Sequence, residues 1–531
     1  MSLERVLVKN YRVLASVDIK LRPDLNVIVG DNESGKSTLL EAINLALKCQ
    51  INRRPAAYEL HPFLFNTKCV AEYIGALREG KRTPPPEILI ELFFSDDEAL
   101  AMLKGTNNSE GENQPGISLR IKLDDESFKE EYQNYIADPT LVASVPVEYY
   151  EVVWQTFAGE RIKPRTVPIR SSLIDPSTIS DTYAAGRYVV EFTKDYLSAK
   201  EQVDLCLSYR KMRDAFRDNT CIGRINAELA KEKRVISDKT LSVALDMTAR
   251  AGWESAVMPH LDDIPITLAG RGEQSSVKIK LALKAQESAE IVMVEEPENH
   301  LSHSNLSRLV AHMSANAVKK QLIIATHSNF VLNKLGVEHV LLFNGQTGIS
   351  LSDLSPDTES YFKRLPGYDT LRMILAKRTI LVEGPSDELI VQKAFLQKHN
   401  VLPLQEGVEV ISVYSLAFKR FLEIARALRI DTRVVTDNDG MAESVSEKYK
   451  EFEGKENIRI HFSSDNSLFT LEVHLVALND LAKLNKILST SFDTKEDLLN
   501  HMLSNKTDCA LKIFESAESI TVPAYIDDAI Q

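Results

Sequence analysis

The sequence predicts an α/β protein made of two parallel-sheet units in tandem, with a charged helical segment inserted into the first. Three observations predict it. An apolar run, Leu25 to Val29, leads into Gly30-x-x-x-x-Gly35-Lys36-Ser37 and then into a helix-like run from Thr38. Two further apolar runs, Ile291–Val294 and Gln321–Ala325, end in Glu295-Glu296-Pro297-Glu298 and in Thr326-His327-Ser328. Another pair, Thr379–Val382 and Arg433–Thr436, ends in Glu383-Gly384-Pro385-Ser386-Asp387 and in Asp437-Asn438-Asp439-Gly440. Chemistry-bearing residues at the carboxyl ends of short apolar strands are what an open α/β sheet produces.

The first stretch reads as strand, phosphate-cradling loop and helix start. Its glycines let backbone N–H groups converge on phosphate oxygens, and the helix N-terminus adds a favourable dipole. Lys36 is placed to reach the terminal phosphates of ATP, and the Ser37 hydroxyl to bind Mg²⁺. Gly30, Asn32, Gly35, Lys36, Ser37 and Thr38 are therefore the candidate nucleotide-binding residues. A chance glycine turn lacks the strand before and the helix after that the motif demands.

Composition narrows the classes. A chain of 531 residues calls for more than one domain, and a hydrophobic fraction of 44% allows a large core. No run approaches the roughly 18–20 apolar residues that cross a membrane. The N-terminus, MSLERVLVKN, carries charge where a signal peptide has its apolar core, so a cytoplasmic location is expected. Five cysteines (Cys49, Cys69, Cys206, Cys221 and Cys509) are scattered and never in C-x-x-C spacing, which argues for reduced thiols and against zinc. A net charge of −13 excludes a bulk nucleic-acid coat but not an enzyme acting on DNA through clustered metal-binding carboxylates.

Taken in order, residues 1–24 read as antiparallel strands. Val6-Leu7-Val8 forms one, and Val17, Ile19 and Leu21 alternate with Asp18 and Lys20 in the next. Asn10-Tyr11-Arg12 joins them as a hairpin turn, a nucleotide contact by Arg12 being the weaker alternative. Pro84-Pro85-Pro86 introduces a strand over Glu87–Phe94, residues 105–116 form a polar turn-rich loop, and Ile117–Leu123 alternates as a strand. From Pro164 to Arg234 the character is polar helix, either a solvated face or an arm for dimerisation or a partner. Leu268–Leu283 is a glycine-rich turn opening a helix. At Glu295 and Glu296 one carboxylate can orient the Mg²⁺ shell while the other polarises the attacking water. His327 can contact the γ-phosphate or hold that water.

The four features, in the order phosphate loop, glycine turn, acidic strand end and histidine strand end, resemble the ABC-type ATPase heads of the SMC and RecF group. The resemblance implies a nucleotide held between two heads, the phosphate loop of one facing Gly272 of the other. Two departures are visible. Glu295 stands where the group commonly has Asp, and Gly270-Arg271-Gly272-Glu273-Gln274 lacks the expected serine.

Leu365-Pro366-Gly367-Tyr368 marks a boundary, beyond which strand and helix alternate: Thr379–Val382, Glu388–Lys398, Val408–Val413, Leu416–Leu428 and Arg433–Thr436. Glu383, Asp387, Asp437 and Asp439 are expected to converge at one sheet edge. Carboxylates gathered there repel unless a hard divalent cation, Mg²⁺ or Mn²⁺, neutralises them. This pattern resembles the TOPRIM fold of topoisomerases, bacterial primases and some nucleases. Topoisomerases of this type often carry a further Asp two positions on, where this chain has Met441. Glu472 offers another carboxylate after the strand-like Ile458–Phe462. Lys506 lies early in a helix, and from its position alone reads as a solvated surface residue.

A head followed by TOPRIM in one chain resembles the OLD (overcoming lysogenisation defect) family of ATPase-nucleases. The stretches that carry the resemblance are LPGYDTLRMILAKRTILVEGPSDELIVQKAF, VVTDNDG, TLE, and KTDCALKIF through VPAYIDDAI. It implies an ABC-type P-loop ATPase over 1–163 and 235–365, a helical dimerisation insert over 164–234, and a TOPRIM domain over 366–531. It further implies a divalent-metal-dependent DNA endonuclease or nickase working by a two-metal mechanism, gated by ATP and active in defence against phage. Glu383 would be metal ligand and general base. Asp387, Asp437 and Asp439 would be metal ligands, Glu472 a ligand at the second metal, and Lys506 the catalytic lysine. A homodimer or tetramer is implied, with a companion protein such as a helicase, or a reverse transcriptase with its DNA, in some relatives. Relatives often have glycines where Val413-Tyr414-Ser415-Leu416 stand. The competing readings are an SMC-like repair ATPase whose TOPRIM domain is inactive, and a topoisomerase. Basic clusters at Arg161–Arg170, Lys377-Arg378 and Lys419-Arg420 either guide DNA or are ordinary surface.

Overall fold

A computed structural model describes residues 1–30, 34–52, 54–163, 167–174, 197–217, 219–231, 239, 241–243, 253–285, 290–317, 320–343, 348–350, 354–364, 370–413, 418–452 and 454–531. The N-terminal hairpin forms as the alternation predicts. Leu3–Tyr11 pairs antiparallel with Leu14–Lys20, Val6 opposite Ile19 and Val8 opposite Val17. Ile88–Phe94 extends that sheet on the other side of Leu3–Tyr11, followed by Gln114–Leu123 and then Tyr150–Thr156.

The second sheet carries the phosphate loop. Its strand order is Ser171–Ile174, Ile291–Glu295, Gln321–Ala325, Leu25–Val29, Val340–Phe343 and Gly348–Ser350. The first five run parallel and the last is antiparallel. All five residues of Leu25–Val29 are buried, which explains their unbroken apolar character in a sheet covered on both faces. Each fully buried Val, Leu or Ile there contributes about 1.5–3 kcal/mol.

Ser171–Ile174 departs from the sequence expectation, because it falls inside the segment read as helical from residue 164. It alternates half-buried and buried residues and pairs with Ile291–Val294. Four residues are too short a run for that alternation to stand out from helical periodicity. The described helices of the segment are Ala199–Arg217 and Thr220–Lys231, whose described side chains are mostly exposed. The expected boundary at Leu365–Tyr368 lies outside the described residues.

The third sheet is wholly parallel, in the order Val408–Ser412, Arg378–Val382, Asp431–Val435 and Ile458–His461. Helices Pro385–His399 and Phe418–Leu428 provide its crossovers. The helices that follow, Leu471–Leu478 through Ala524–Ala529, pack against one of its faces. Arg433, on its central strand, is 4% exposed and donates to the carbonyls of Ala529 and Gln531, tying the closing helix to the strand.

One apolar core runs from the phosphate-loop sheet (Val27, Val292, Ile324) through Phe362 and Met373 into the third sheet and its helix (Leu381, Phe421). Polar contacts cross the same junction: Ser355 donates to Glu423, and the Leu371 N–H to the Asn329 side chain. Among the described residues no helix is long and apolar enough to cross a membrane. All five cysteines are free thiols.

Candidate functional site

Two sites sit at the carboxyl ends of the two parallel sheets. In the first, Gly30 ends its strand against Phe343, so close that a Cβ would stand 2.2 Å from the carbonyl oxygen. Gly35 takes φ 93°, a left-handed conformation that favours glycine, and starts the helix Lys36–Lys48. Lys36 is buried, and its Nζ donates to the Gly30 carbonyl at 2.9 Å. A cleft of about 440 Å³ opens here, lined by Val13, Lys36, Ser37, Thr38, Glu295, Glu296 and His327, with Gly35 and Ala325. Loop, acidic strand end and histidine strand end thus face one space, as their spacing predicts.

The acids divide their contacts. Glu295 and Glu296 face the cleft, Glu296 with φ 40°, and its carboxylate accepts from Asn299 Nδ2 at 2.6 Å. His327 Nε2 lies 3.9 Å from Glu296 Oε1. Glu298, not singled out from the sequence, holds the histidine strand end: its Oε1 accepts from the Thr326 hydroxyl at 2.8 Å and the His327 N–H at 3.0 Å. Burial pushes the Glu298 carboxyl above its usual range. The signal for it was present in the Glu-Glu-Pro-Glu run that closes the strand. Arg12 pairs with Glu41 of the phosphate-loop helix, which favours the hairpin-turn reading of its segment. Gly272 does not line the cleft; a Cβ there would stand 2.2 Å from the His300 carbonyl oxygen, so its backbone is closely packed within its own chain. Asn32 lies outside the described residues.

In the second site, parallel register sets Val382 beside Val435, so Glu383 and the Thr436-Asp437 pair emerge at one edge. Glu383 Oε1 accepts from the Thr436 hydroxyl at 2.5 Å and from the Asp437 N–H at 3.0 Å. Asp387, in the first turn of its helix, accepts from the Gly384 N–H at 3.0 Å. Burial first, then the charges of Glu383 and Glu472, push the Asp387 carboxyl up to about 7. Burial first, then Asp387, Glu383 and Glu472, push Asp437 up to about 8. Two carboxyls moved this far by burial and, after it, by neighbouring like charges mark a partly desolvated site where negative charge is crowded.

Lys506 is part of this group and not merely solvated surface. Its Nζ lies 3.1 Å from Oε2 of Glu472, itself only 5% exposed. Burial works to lower the Lys506 pKa, but the hydrogen bond and charge of Glu472, with Asp437 and Asp387, raise it overall. Tyr525, missed in the sequence, is buried beside the group with its ring edge-on to His474; burial and the four carboxylates raise its pKa. Asp439 differs from its neighbours: it is exposed with φ 49°, its N–H donates to the Phe469 carbonyl, and it is not among the leading charges acting on Asp387 or Asp437. Among the described residues, no group of three or more His, Cys, Asp or Glu is arranged to hold a metal ion. The expected convergence therefore appears as electrostatic coupling among Glu383, Asp387, Asp437 and Glu472 rather than a closed ligand shell.

Several of the basic residues considered as DNA guides have partners within the fold. Arg378 binds Asp431, Lys419 binds Glu451, and Arg420 donates to the Asp357 carbonyl with its guanidinium over the Tyr361 ring.

Residues 1–141 match a family model described as an AAA ATPase domain. Residues 222–333 match one described as an AAA domain, putative AbiEii toxin, Type IV TA system. Residues 374–439 match the overcoming lysogenization defect protein-like TOPRIM domain. The chain is 22% identical over 473 residues to Endonuclease GajA of Bacillus cereus, covering 83% of this chain and 75% of that one. It is 40% identical over 73 residues to the DNA replication and repair protein RecF of Haemophilus ducreyi, a stretch covering 13% of this chain and 20% of RecF. The solved C-terminal region of the Xanthomonas campestris pv. campestris OLD protein is 21% identical, with a TM-score of 0.25, over 30% of this chain and 92% of that one. The family matches fall on the phosphate-loop segment, the acidic-strand segment and the carboxylate edge just described, and the chain accordingly joins segments that match AAA ATPase domains to one that matches an OLD-like TOPRIM domain.

Proposed function

We propose that the protein is a nucleotide-regulated, divalent-metal-dependent DNA endonuclease or nickase that hydrolyses phosphodiester bonds at the TOPRIM edge. The observation that carries this reading is the coupled group Glu383, Asp387, Asp437 and Glu472 with Lys506 beside it. All the donors are carboxylate oxygens, the chemistry that suits Mg²⁺ or Mn²⁺, and their crowding is what such a cation relieves. In this reading Glu383, Asp387 and Asp437 would hold one cation, with Asp439 joining from the exposed rim, and Glu472 would help hold a second. When bound, the metal supplies Lewis-acid activation of the phosphodiester and of a water.

The chain's own residues do the rest. The Thr436 hydroxyl and the Asp437 N–H donate to Oε1 of Glu383 and so fix the orientation of the carboxylate that would take a proton from water. Glu472 holds Lys506 in place, and its ammonium can stabilise charge that develops on the phosphate. Similarity to a protein named an endonuclease over most of its length supports the same reading.

ATP in the cleft of Lys36, Ser37, Glu295, Glu296 and His327 would act as a gate. Phosphodiester hydrolysis is downhill and needs no energy from it. The continuous core between the two sheets supports coupling of nucleotide state to the TOPRIM edge. Pairing of two heads, Gly272 of one toward the phosphate loop of the other, makes a homodimer the minimum assembly. A role in defence against phage follows from the family resemblance.

The deciding experiment is supercoiled-plasmid cleavage in Mg²⁺ or Mn²⁺, with and without ATP, comparing the parent with Asp437→Ala/Asp439→Ala and with Lys36→Ala. Metal-dependent cutting that the aspartate variant loses supports the nuclease. No cutting under any condition favours an ATP-driven binding protein with a silent TOPRIM domain. Relaxed, covalently closed product favours a topoisomerase.

A further inference from the structure

The rim of the TOPRIM edge carries two exposed apolar side chains that the reaction does not use. Met441 is 62% exposed and Phe469 43% exposed. They belong to different loops, 437–442 and 463–469, and these loops are fastened together. The Asp439 N–H donates to the Phe469 carbonyl at 3.2 Å. Asn438, 2% exposed, donates to the Ser463 and Asp465 carbonyls at 2.9 Å each. The Ala442 N–H donates to the Asn466 side chain at 2.9 Å. A Cβ on Gly440 would stand at ordinary van der Waals distance, 4.0 Å, from Phe469 Cβ. Two apolar groups are thus held on a stiff double loop beside Asp437 and Asp439.

Scattered exposed apolar residues are normal. These differ in lying directly against a crowded acidic edge that DNA must approach if the nuclease reading holds. The chain has a net charge of −13, and any bound cation is spent on neutralising the carboxylates of the edge, so nonspecific ionic attraction to DNA is weak. Non-ionic contact is then the natural source of local affinity. Aromatic rings stack on unpaired bases of any sequence, and Phe or Met side chains wedge into base steps that open easily. A surface held rigid beforehand loses little freedom on binding.

We propose that Met441 and Phe469 form a shelf for an unstacked nucleobase flanking the phosphodiester to be cut, so that the protein selects DNA with unpaired or easily opened bases over intact duplex. This rests on the nuclease reading of the TOPRIM edge and adds a substrate class to it.

The test uses the full chain in parent form and as Phe469→Ala, Met441→Ser, the double variant and Phe469→Trp. Cleavage in Mn²⁺ is compared on a duplex, on the same duplex with a short mismatched bubble, and on single strands. Separately, Asp437→Ala protein with and without Phe469→Ala is titrated into the bubble DNA carrying 2-aminopurine, whose fluorescence falls when the base stacks on an aromatic ring. The expected result is preference for the bubble. The double variant should raise KM for it roughly tenfold or more with little change in kcat, and Phe469→Trp should restore it. Fluorescence quenching should require Phe469. The proposal is overturned if bubble and duplex are cut equally, if the double variant matches the parent, or if quenching is absent or survives Phe469→Ala; the shelf would then serve another partner. If the parent cuts nothing, the nuclease reading fails, while quenching still decides the base contact.

Discussion

Thr436 and Glu383 meet across two adjacent parallel strands, the threonine hydroxyl donating to the same Oε1 that accepts the Asp437 N–H. One oxygen of the candidate base is saturated from within the protein. Thr436→Val, which keeps the shape and removes the donor, is expected to slow plasmid cutting roughly tenfold or more, while Thr436→Ser restores most of the rate. Metal-dependent nicking rates beside thermal melting check this, since loss of stability alone would not be repaired in rate by serine.

Asp387 and Asp437 make stability depend on pH. Their folded-state values stand at about 7 and about 8, above those of the unfolded chain, so the folded protein keeps protons that the unfolded chain has released. The contribution is present in full below pH about 4 and is lost as pH rises toward about 8. Metal-free protein should therefore unfold at lower denaturant at about pH 9 than at about pH 6. Asp437→Asn should flatten that slope, and added Mg²⁺ or Mn²⁺ should restore stability at the alkaline end. Denaturant melts across the window decide it.

Lys506 is the ammonium closest to the buried carboxylate of Glu472. Lys506→Ala leaves that carboxylate without its partner and is expected to cost about 1 kcal/mol, the value being moderated by the lysine's own solvent exposure. Cutting should be lost while ATP binding is unchanged. Chemical denaturation and binding of a fluorescent ATP analogue separate the two effects.

Lys36→Ala should weaken ATP roughly tenfold or more, because a charge-assisted contact to phosphate is removed. Equilibrium dialysis with ATP and Mg²⁺ measures it. Retention of parent affinity would remove Lys36 from the nucleotide site.

Gly272→Ala tests close packing within a single chain. Its new Cβ would stand 2.2 Å from the His300 carbonyl oxygen, so the turn must shift, at a cost of about 1–3 kcal/mol. The melting temperature of the nucleotide-free protein should fall. A variant with unchanged melting but lost ATP hydrolysis would instead favour a contact made only between paired heads.

Much of this was legible in the sequence because short buried strands announce themselves. Leu25–Val29, Ile291–Glu295 and Gln321–Ala325 are apolar runs that stop at glycine, acid or histidine, and each forms as read. The carboxylate edge was legible for the same reason. Ser171–Ile174 was not, since its place in the sheet is decided by a partner more than a hundred residues away. Glu298 was hidden because an acid that turns inward to hold Thr326 looks, in sequence, like one that faces water. Tyr525 reaches the carboxylates through tertiary packing of a late helix, which no local pattern encodes. Asp439 was read with Asp437 from spacing alone, yet its left-handed backbone leaves it exposed.

The strand that feeds the phosphate loop, Leu25–Val29, has as its immediate neighbours Gln321–Ala325 and Val340–Phe343. The Gln321 side chain also closes a pair of hydrogen bonds with the backbone of Leu3, 318 residues away along the chain. A ribosome makes the whole nucleotide-binding motif early, then must translate some three hundred residues more before either flanking strand exists. A nascent chain, or one released by a premature stop before that point, carries an intact Gly-Lys-Ser signature on a strand with no sheet to join. Such fragments should take up no ATP, so nucleotide binding is a property that only a nearly finished chain can have.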